Sequence, residues 1–206
     1  MLYEKLINTN NPEDVLFDIC IPCWENSHKL NETIGNVIDS PVKATLPIKF
    51  IISVEKQSVV KNRLDCLKRS QSQYVLWLDD DIQFQHKGWD KYLLEAIQND
   101  PKIGVIGINI VHYRAEDNRP TRMHGDVPDV CGAVMMTRKI PGVQFDVNYV
   151  RSQIEDTDYC WQVRNAGYRV FQDNRLWARH YNEELNRDYN NNGPYFNKKW
   201  NVNMFR

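Results

Sequence analysis

Three adjacent carboxylates, Asp79, Asp80 and Asp81, close the apolar run from Tyr74 to Leu78. Neighbouring carboxylates raise one another's pKa unless a cation sits among them. An oxygen-rich cluster of this kind suits Mg2+ or Mn2+, ions that take one or two protein carboxylates and leave their other positions to water and substrate phosphate. An acidic turn is the plainer reading of the same residues. The carboxyl end of a buried parallel strand, however, is where open α/β sheets bind ligands, and this favours a site. A second group, Glu155, Asp156 and Asp158, crowds the start of a helical stretch. Ordinary accommodation of negative charge by the helix dipole explains it as well as chemistry does. An Asp ionised at that place can also take a proton from a hydroxyl as a general base. His180, between Arg179 and Tyr181, is a lone imidazole, which by itself is more often a structural hydrogen-bonder than a metal ligand.

The frame that must hold these groups reads as alternating strands and helices. Val15 to Trp24 is a first strand, and the stretch after it a helix that stops before Ser40 and Pro41. Pro47 to Glu55 is a nearly all-apolar strand of the kind buried on both faces. Val59 to Ser70 supplies the crossover helix into the strand Tyr74 to Ile82, so the chain makes two right-handed parallel steps. Trp89, Tyr92, Leu93, Ala96 and Ile97 recur at helical spacing. Lys102 to Tyr113 is another strand, followed by a polar loop, Arg114 to Asp126, long enough to be functional. Asp129 to Lys139 returns to strand, Glu155 to Ala166 is a helix stopped by Gly167, and Tyr168 to Asn174 is an edge strand. The remainder reads as a polar, Asn-rich tail without helical or strand period. The expected architecture is one α/β domain over residues 1–206, with a mostly parallel central sheet flanked by helices.

With 206 residues the chain suits a single domain, and its 42% hydrophobic and 26% charged residues exclude disorder and coiled coil. A formal net charge of −1 provides no global field to gather nucleic acid or anionic lipid. No apolar run approaches the roughly 20 residues of a membrane span, and the N-terminal residues lack the apolar core of a signal peptide, so the cytoplasm is the expected compartment. The cysteines at 20, 23, 66, 131 and 160 are odd in number and lie mostly in apolar segments, which argues for core thiols rather than disulfides. Cys20 and Cys23 form a CxxC, but no second pair at zinc spacing accompanies it. Trp24, Trp161 and Trp177 read as core residues rather than platforms for sugar rings.

Taken in order, these pieces resemble glycosyltransferase family 2, a group of nucleotide-sugar enzymes of the GT-A fold, from about Asp18 to His180. The segment FDICIPCWEN is similar to the family's opening strand, with Pro22 and Glu25 in its apolar-Pro-x-x-Asn/Glu end. FIISVE resembles the second strand, whose closing acid near the nucleobase would be Glu55. RLDCLKRSQSQYVLWLDDDI is similar to the stretch running from a basic helix into the Asp-x-Asp motif, with Arg63 in the place of the usual arginine and Leu64 replacing the asparagine beside it. DVCGAVMMTRK followed by VQFDVNYVRSQIEDTDYCWQVRNAGYRV resembles the acceptor half, a Gly-Ala strand leading to a Glu-Asp-x-Asp-x-Cys phrase.

The resemblance implies a donor half at about 15–112, an acceptor and catalytic half at about 127–182 and a tail at 183–206. Pro22, Glu25, Glu55, Arg63, Asp79 and Asp80 would serve the nucleotide sugar, with Asp79 on the ribose or a metal-bound water. Asp81 and His180 would hold Mn2+ or Mg2+ at the donor diphosphate. Gly132, Ala133 and Glu155 would lie on the acceptor side, and Asp156 would be the general base of an inverting, metal-dependent transfer to a hydroxyl of a glycan or other biomolecule. A nucleotidyltransferase is the nearest rival, but the first strand is followed by no glycine-rich phosphate loop. A metal-dependent phosphatase or nuclease would leave the Glu155–Asp156 helix unexplained. A catalytically inactive sugar-binding module is the reading from another class. A nucleic-acid acceptor is a further variant, because the tail interleaves Lys198, Lys199 and Arg206 with Tyr195, Phe196, Trp200 and Phe205.

Overall fold

The computed structural model describes residues 1–25, 28–112, 124–181 and 189–204. Its elements are β1 (Leu2–Ile7), β2 (Phe17–Cys23), α1 (His28–Asp39), β3 (Ile48–Val54), α2 (Val59–Arg69), β4 (Tyr74–Leu78), β5 (Ile82–Phe84), α3 (Trp89–Asn99), β6 (Ile103–His112), β7 (Gly125–Asp126), β8 (Val134–Arg138), α4 (Glu155–Asn165), β9 (Arg169–His180) and α5 (Tyr189–Trp200). All strands join one sheet in the order β1-β3-β2-β4-β8-β6-β9-β5, with β7 paired to β9.

The expected parallel steps are present: β2 lies between β3 and β4, parallel to both. Every residue of β2 is buried, as befits a central strand covered on both faces. The sheet as a whole is mixed rather than mostly parallel. Beyond β4 the ladder turns antiparallel through β8 and β6, and only β6 with β9 restores a parallel pair. At the other edge β1 adds an antiparallel strand along β3. One face is covered by α1 and α3, whose Leu30, Val37, Trp89, Leu93 and Ile97 pack on Ile19, Ile21 and Leu76. On the other face Val60 and Cys66 of α2, Tyr159 and Val163 of α4 and Phe196 of α5 pack on Cys20, Ile51 and Trp77.

Three local expectations are corrected. The segment from Tyr168 is no edge strand, because β9 runs on to His180 between β6 and β5. A bulge opposite Ile108 and Asn109 absorbs its polar interior residues. The strand expected from Asp129 begins only at Val134, leaving Gly132 and Ala133 in the approach to it. The tail is helical from Tyr189 to Trp200 despite Pro194 within it. Its own residues have poor helix propensity, so tertiary contacts hold it: Phe196 is fully buried, edge-on to Trp161. Most of the Arg114–Asp126 loop, residues 114–123, lies outside the described residues, and Gly125 and Asp126 pair with β9.

Candidate functional site

The apolar run of β4 ends at Leu78, and the next peptide is still tied to the approach to β8, Asp79 N–H donating to the Ala133 carbonyl at 3.0 Å. After Asp81 the chain re-enters the sheet as β5, in a register that sets Ile82 opposite His180. Tyr181 N–H donates to the Asp81 carbonyl at 2.9 Å. This pairing carries the imidazole to the carboxylates: His180 Nε2 lies 2.9 Å from Asp81 Oδ1 and 3.9 Å from Asp79 Oδ2. The side chains of Asp79, Asp81 and His180 offer ligand atoms within 4.8 Å of one another. Two carboxylates and one imidazole are a donor set that fits Mn2+ or Mg2+.

The electrostatics also point to a cation. Burial raises the pKa of Asp79, with Asp81 and Asp156 adding to the rise against Arg63 and His180. Burial, then repulsion by Asp79 and Asp81, pushes Asp80 up to about 6, although the Cys23 thiol donates to its carboxylate. Burial opposes charge on His180, but its hydrogen bond to Asp81 and the field of Asp79 win and raise its pKa. Carboxylates that hold protons too tightly beside an imidazole that does the same describe a place short of positive charge.

These groups line a cavity of about 620 Å3, a volume suited to a small-molecule ligand. Pro22, Cys23, Trp24 and Glu25, at and beyond the end of β2, line it, as do Gln57, Val59 and Asn62 around the start of α2. Arg151 and Ser152 complete the lining. Trp24 is thus no core residue; at 53% exposure it stands at the cavity, while Trp161 and Trp177 are half-buried. Glu55 follows β3, meets the Met1 amino group and does not line the cavity.

Arg63 is buried and also absent from the lining. Its guanidinium donates to the Gly132 carbonyl at 3.2 Å and lies 3.6 Å from Asp79 and 3.7 Å from Glu155. Burial, then repulsion by Asp156, raises the Glu155 carboxyl well above its usual range, against the pull of Arg63. From the same residue, Gly132 N–H donates to Asp156 Oδ2 at 2.8 Å, and Thr157 N–H donates to Oδ1 at 2.8 Å. Gly132 and Ala133 therefore join the two acidic groups: Ala133 holds the Asp79 peptide, and Gly132 holds Asp156 and Arg63. A Cβ on Gly132 would lie 2.8 Å from that of Asp156 and 2.9 Å from the Arg63 guanidinium, so no larger residue fits. Asp156 is not the N-cap of α4, which is Ile154 and makes no side-chain hydrogen bond, although Asp156 Oδ1 takes the first-turn N–H of Thr157.

Two contributions were not foreseen. Asn62, buried in α2, donates to the carbonyls of Cys23 at 2.9 Å and Glu55 at 3.0 Å and so ties together the ends of β2 and β3. Its signal in the sequence is polarity on the buried side of a helix, next to Arg63. Asp158, third acid of the Glu-Asp-x-Asp phrase, is fully buried and faces α5, where Lys199 donates at 2.9 Å and Trp200 Nε1 at 2.8 Å. Lys199 also reaches Asp146, and Tyr195 donates to the same carboxylate. Much of the aromatic and basic mixture that suggested nucleic acid is therefore committed within the domain; Phe205 and Arg206 lie outside the described residues.

A model of glycosyl transferase family 2 matches residues 36–202. No curated protein sequence matches at a significant level. Among solved structures, the mannosyltransferase PcManGT from Pyrobaculum calidifontis, in complex with GDP-Man and Mn2+, superposes with a TM-score of 0.67 at 11% identity, over 98% of this chain and 68% of that one. GalNAc-T7 with UDP, GalNAc and Mn2+ gives 0.61 at 12% identity, over 84% of this chain and 45% of that one. S. aureus TarS residues 1-349 with UDP-GlcNAc gives 0.59 at 14% identity, over 82% of this chain and 59% of that one. At these identities the likeness is one of fold, and the fold is that of the GT-A glycosyltransferases. No helix among the described residues is long and apolar enough to cross a membrane.

Proposed function

The chain belongs to glycosyl transferase family 2, and from that premise we propose that it transfers a sugar from a nucleoside-diphosphate donor to an acceptor hydroxyl with inversion at the anomeric carbon. The observation that carries the reading is the link through Gly132 and Ala133, which fixes Asp156 relative to Asp79. Complexes of its structural neighbours with GDP-Man and UDP-GlcNAc support a nucleotide-sugar donor. The Asp79, Asp81 and His180 cluster, together with the Mn2+ in one of those complexes, supports a divalent ion.

In this reading Asp79, Asp81 and His180 hold Mn2+ or Mg2+, which supplies positive charge where the leaving diphosphate gathers negative charge. Trp24 offers an exposed aromatic face at the cavity for stacking on the donor. Asp156 takes the proton of the acceptor hydroxyl as its oxygen bonds to the anomeric carbon, and the bond to the diphosphate breaks with its electron pair leaving on the nucleotide. Each Asp156 oxygen accepts a backbone N–H and keeps a further lone pair for that proton. Arg63, wedged between Asp79 and Glu155, offsets charge beneath both groups without touching substrate. All five cysteines are free, in keeping with a reducing compartment such as the cytoplasm.

The test is a panel of nucleotide sugars with Mn2+ or Mg2+, following nucleoside diphosphate release. Release from one donor, abolished by chelation and lowered about 10²- to 10⁴-fold in Asp156→Asn, is the expected result. Equal turnover by wild type and Asp156→Asn removes Asp156 from the role of base.

A further inference from the structure

Arg151 lines a cavity whose other charged lining side chains, among the described residues, are Glu25, Asp79, Asp80 and Asp81, with His180 beside them. Those carboxylates suit a metal ion but repel the oxygens of a diphosphate. A guanidinium on the same cavity offsets that repulsion, and its planar fork matches phosphate geometry.

The backbone that presents Arg151 is held in an unfavourable shape. Arg151, Gln153 and Ile154 have φ of 56°, 80° and 72°, in the left-handed region that side-chain-bearing residues avoid. Such strain persists only where surrounding structure over-determines it, and it concentrates at ligand clamps. Here the surrounding structure comes from α5. Asn192, 1% exposed, accepts from Val150 N–H at 2.9 Å. Its amide donates to the carbonyls of Val150 at 3.0 Å, Ser152 at 3.1 Å and Gln153 at 2.9 Å. From the other side Val59 N–H donates to the Arg151 carbonyl at 2.9 Å, tying the segment to the start of α2, which lines the same cavity. A solvated surface arginine needs none of this.

We propose that Arg151 binds the diphosphate of the nucleotide-sugar donor and that Asn192 is the positioning residue that holds it over the cavity. The proposal rests on the donor reading above. It gives α5 a part in donor recognition although that helix lies outside the cavity.

The experiment is calorimetric titration, in Mn2+, of UDP, GDP, ADP, CDP and dTDP into the wild type, and then of the diphosphate that binds, its monophosphate and its nucleoside into Arg151→Gln, Asn192→Ser and the double variant. Arg151→Gln is expected to weaken the diphosphate about 10- to 100-fold and leave the nucleoside unchanged. Asn192→Ser is expected to show the same selectivity, with little further loss in the double variant. Equal diphosphate affinity in wild type and Arg151→Gln overturns the assignment of Arg151. Additive losses, or equal weakening of diphosphate and nucleoside by Asn192→Ser, overturn the positioning role. Should Asn192→Ser fail to fold, Arg151→Gln, at an exposed position, still decides the first half. No diphosphate binding by the wild type overturns the donor reading itself and this proposal with it.

Discussion

Asp158 is fully buried and collects donors from Tyr149, Gln162, Lys199 and Trp200. Asp79, Asp80 and Asp81 carry the same side chain but face one another on a cavity, with His180 and the more distant Arg63 within ion-pair distance of the group. In the first region partners from α5 win. Burial alone would raise the neighbouring Asp146, but hydrogen bonds from Lys199, the Asn148 N–H and Tyr195 hold it at about 2. In the second region burial wins, and Asp80 rises to about 6. Residue type therefore does not separate a site from a strut. The balance of buried charge does, and of these two regions the cavity cluster is the one left in need of a cation.

Removing an acid should have opposite consequences in the two regions. Asp158→Ala leaves Lys199, Trp200 Nε1 and the Tyr149 hydroxyl without their common acceptor, and should cost about 3–5 kcal/mol, read from denaturant unfolding. A loss under 1 kcal/mol would show that α5 is not held through this carboxylate. Gly132→Ala should cost about 1–3 kcal/mol, since the added methyl meets Asp156 and Arg63. It should also lower turnover by displacing Asp156, and normal activity in this variant would break the proposed link between the two acidic groups. Asp80→Asn should do the reverse in metal-free protein, relieving repulsion and raising stability by about 1 kcal/mol, or roughly 2–4 °C in Tm.

The pH dependence sharpens the same contrast. Asp146 has a lowered folded pKa, so its contribution is full above its ordinary value of 3.8 and is lost as pH falls through about 2. Asp80 has a raised one, so its contribution is present below 3.8 and is lost as pH rises through about 6. Asp146→Asn should flatten the acid limb of the stability curve, and Asp80→Asn should remove a decline between about pH 4 and 6 in metal-free protein. Identical curves for the two variants would mean that the regions do not differ in charge balance.

Much of the cavity side was legible because its signals are local. The apolar run into Asp79 announces a buried strand with its acids at the carboxyl end, and β2 and β3 read as strands from composition alone. Asp156 and His180 stood out as titratable groups, but their link to Asp79 was legible only through resemblance, because what joins them is register and backbone hydrogen bonds between distant segments. Helix α5 was missed for a physical reason: its Asn-rich start, Gly193 and Pro194 erase the helical period, and Phe196, Trp200, Lys199 and Asn192 gain their worth from partners elsewhere. Strand β1 was missed likewise, an edge strand with only its ends partly buried. Trp24 looked like core because it reads as the last residue of a buried strand, but β2 ends one residue earlier.

In the proposed reaction the cavity cluster holds a divalent ion at the donor diphosphate. Its most direct test is calorimetric titration of a nucleoside diphosphate into wild type and Asp81→Ala, each with and without Mn2+. Mn2+ is expected to strengthen binding to the wild type and to have no such effect on Asp81→Ala. Mn2+ enhancement of equal size in both proteins would contradict it.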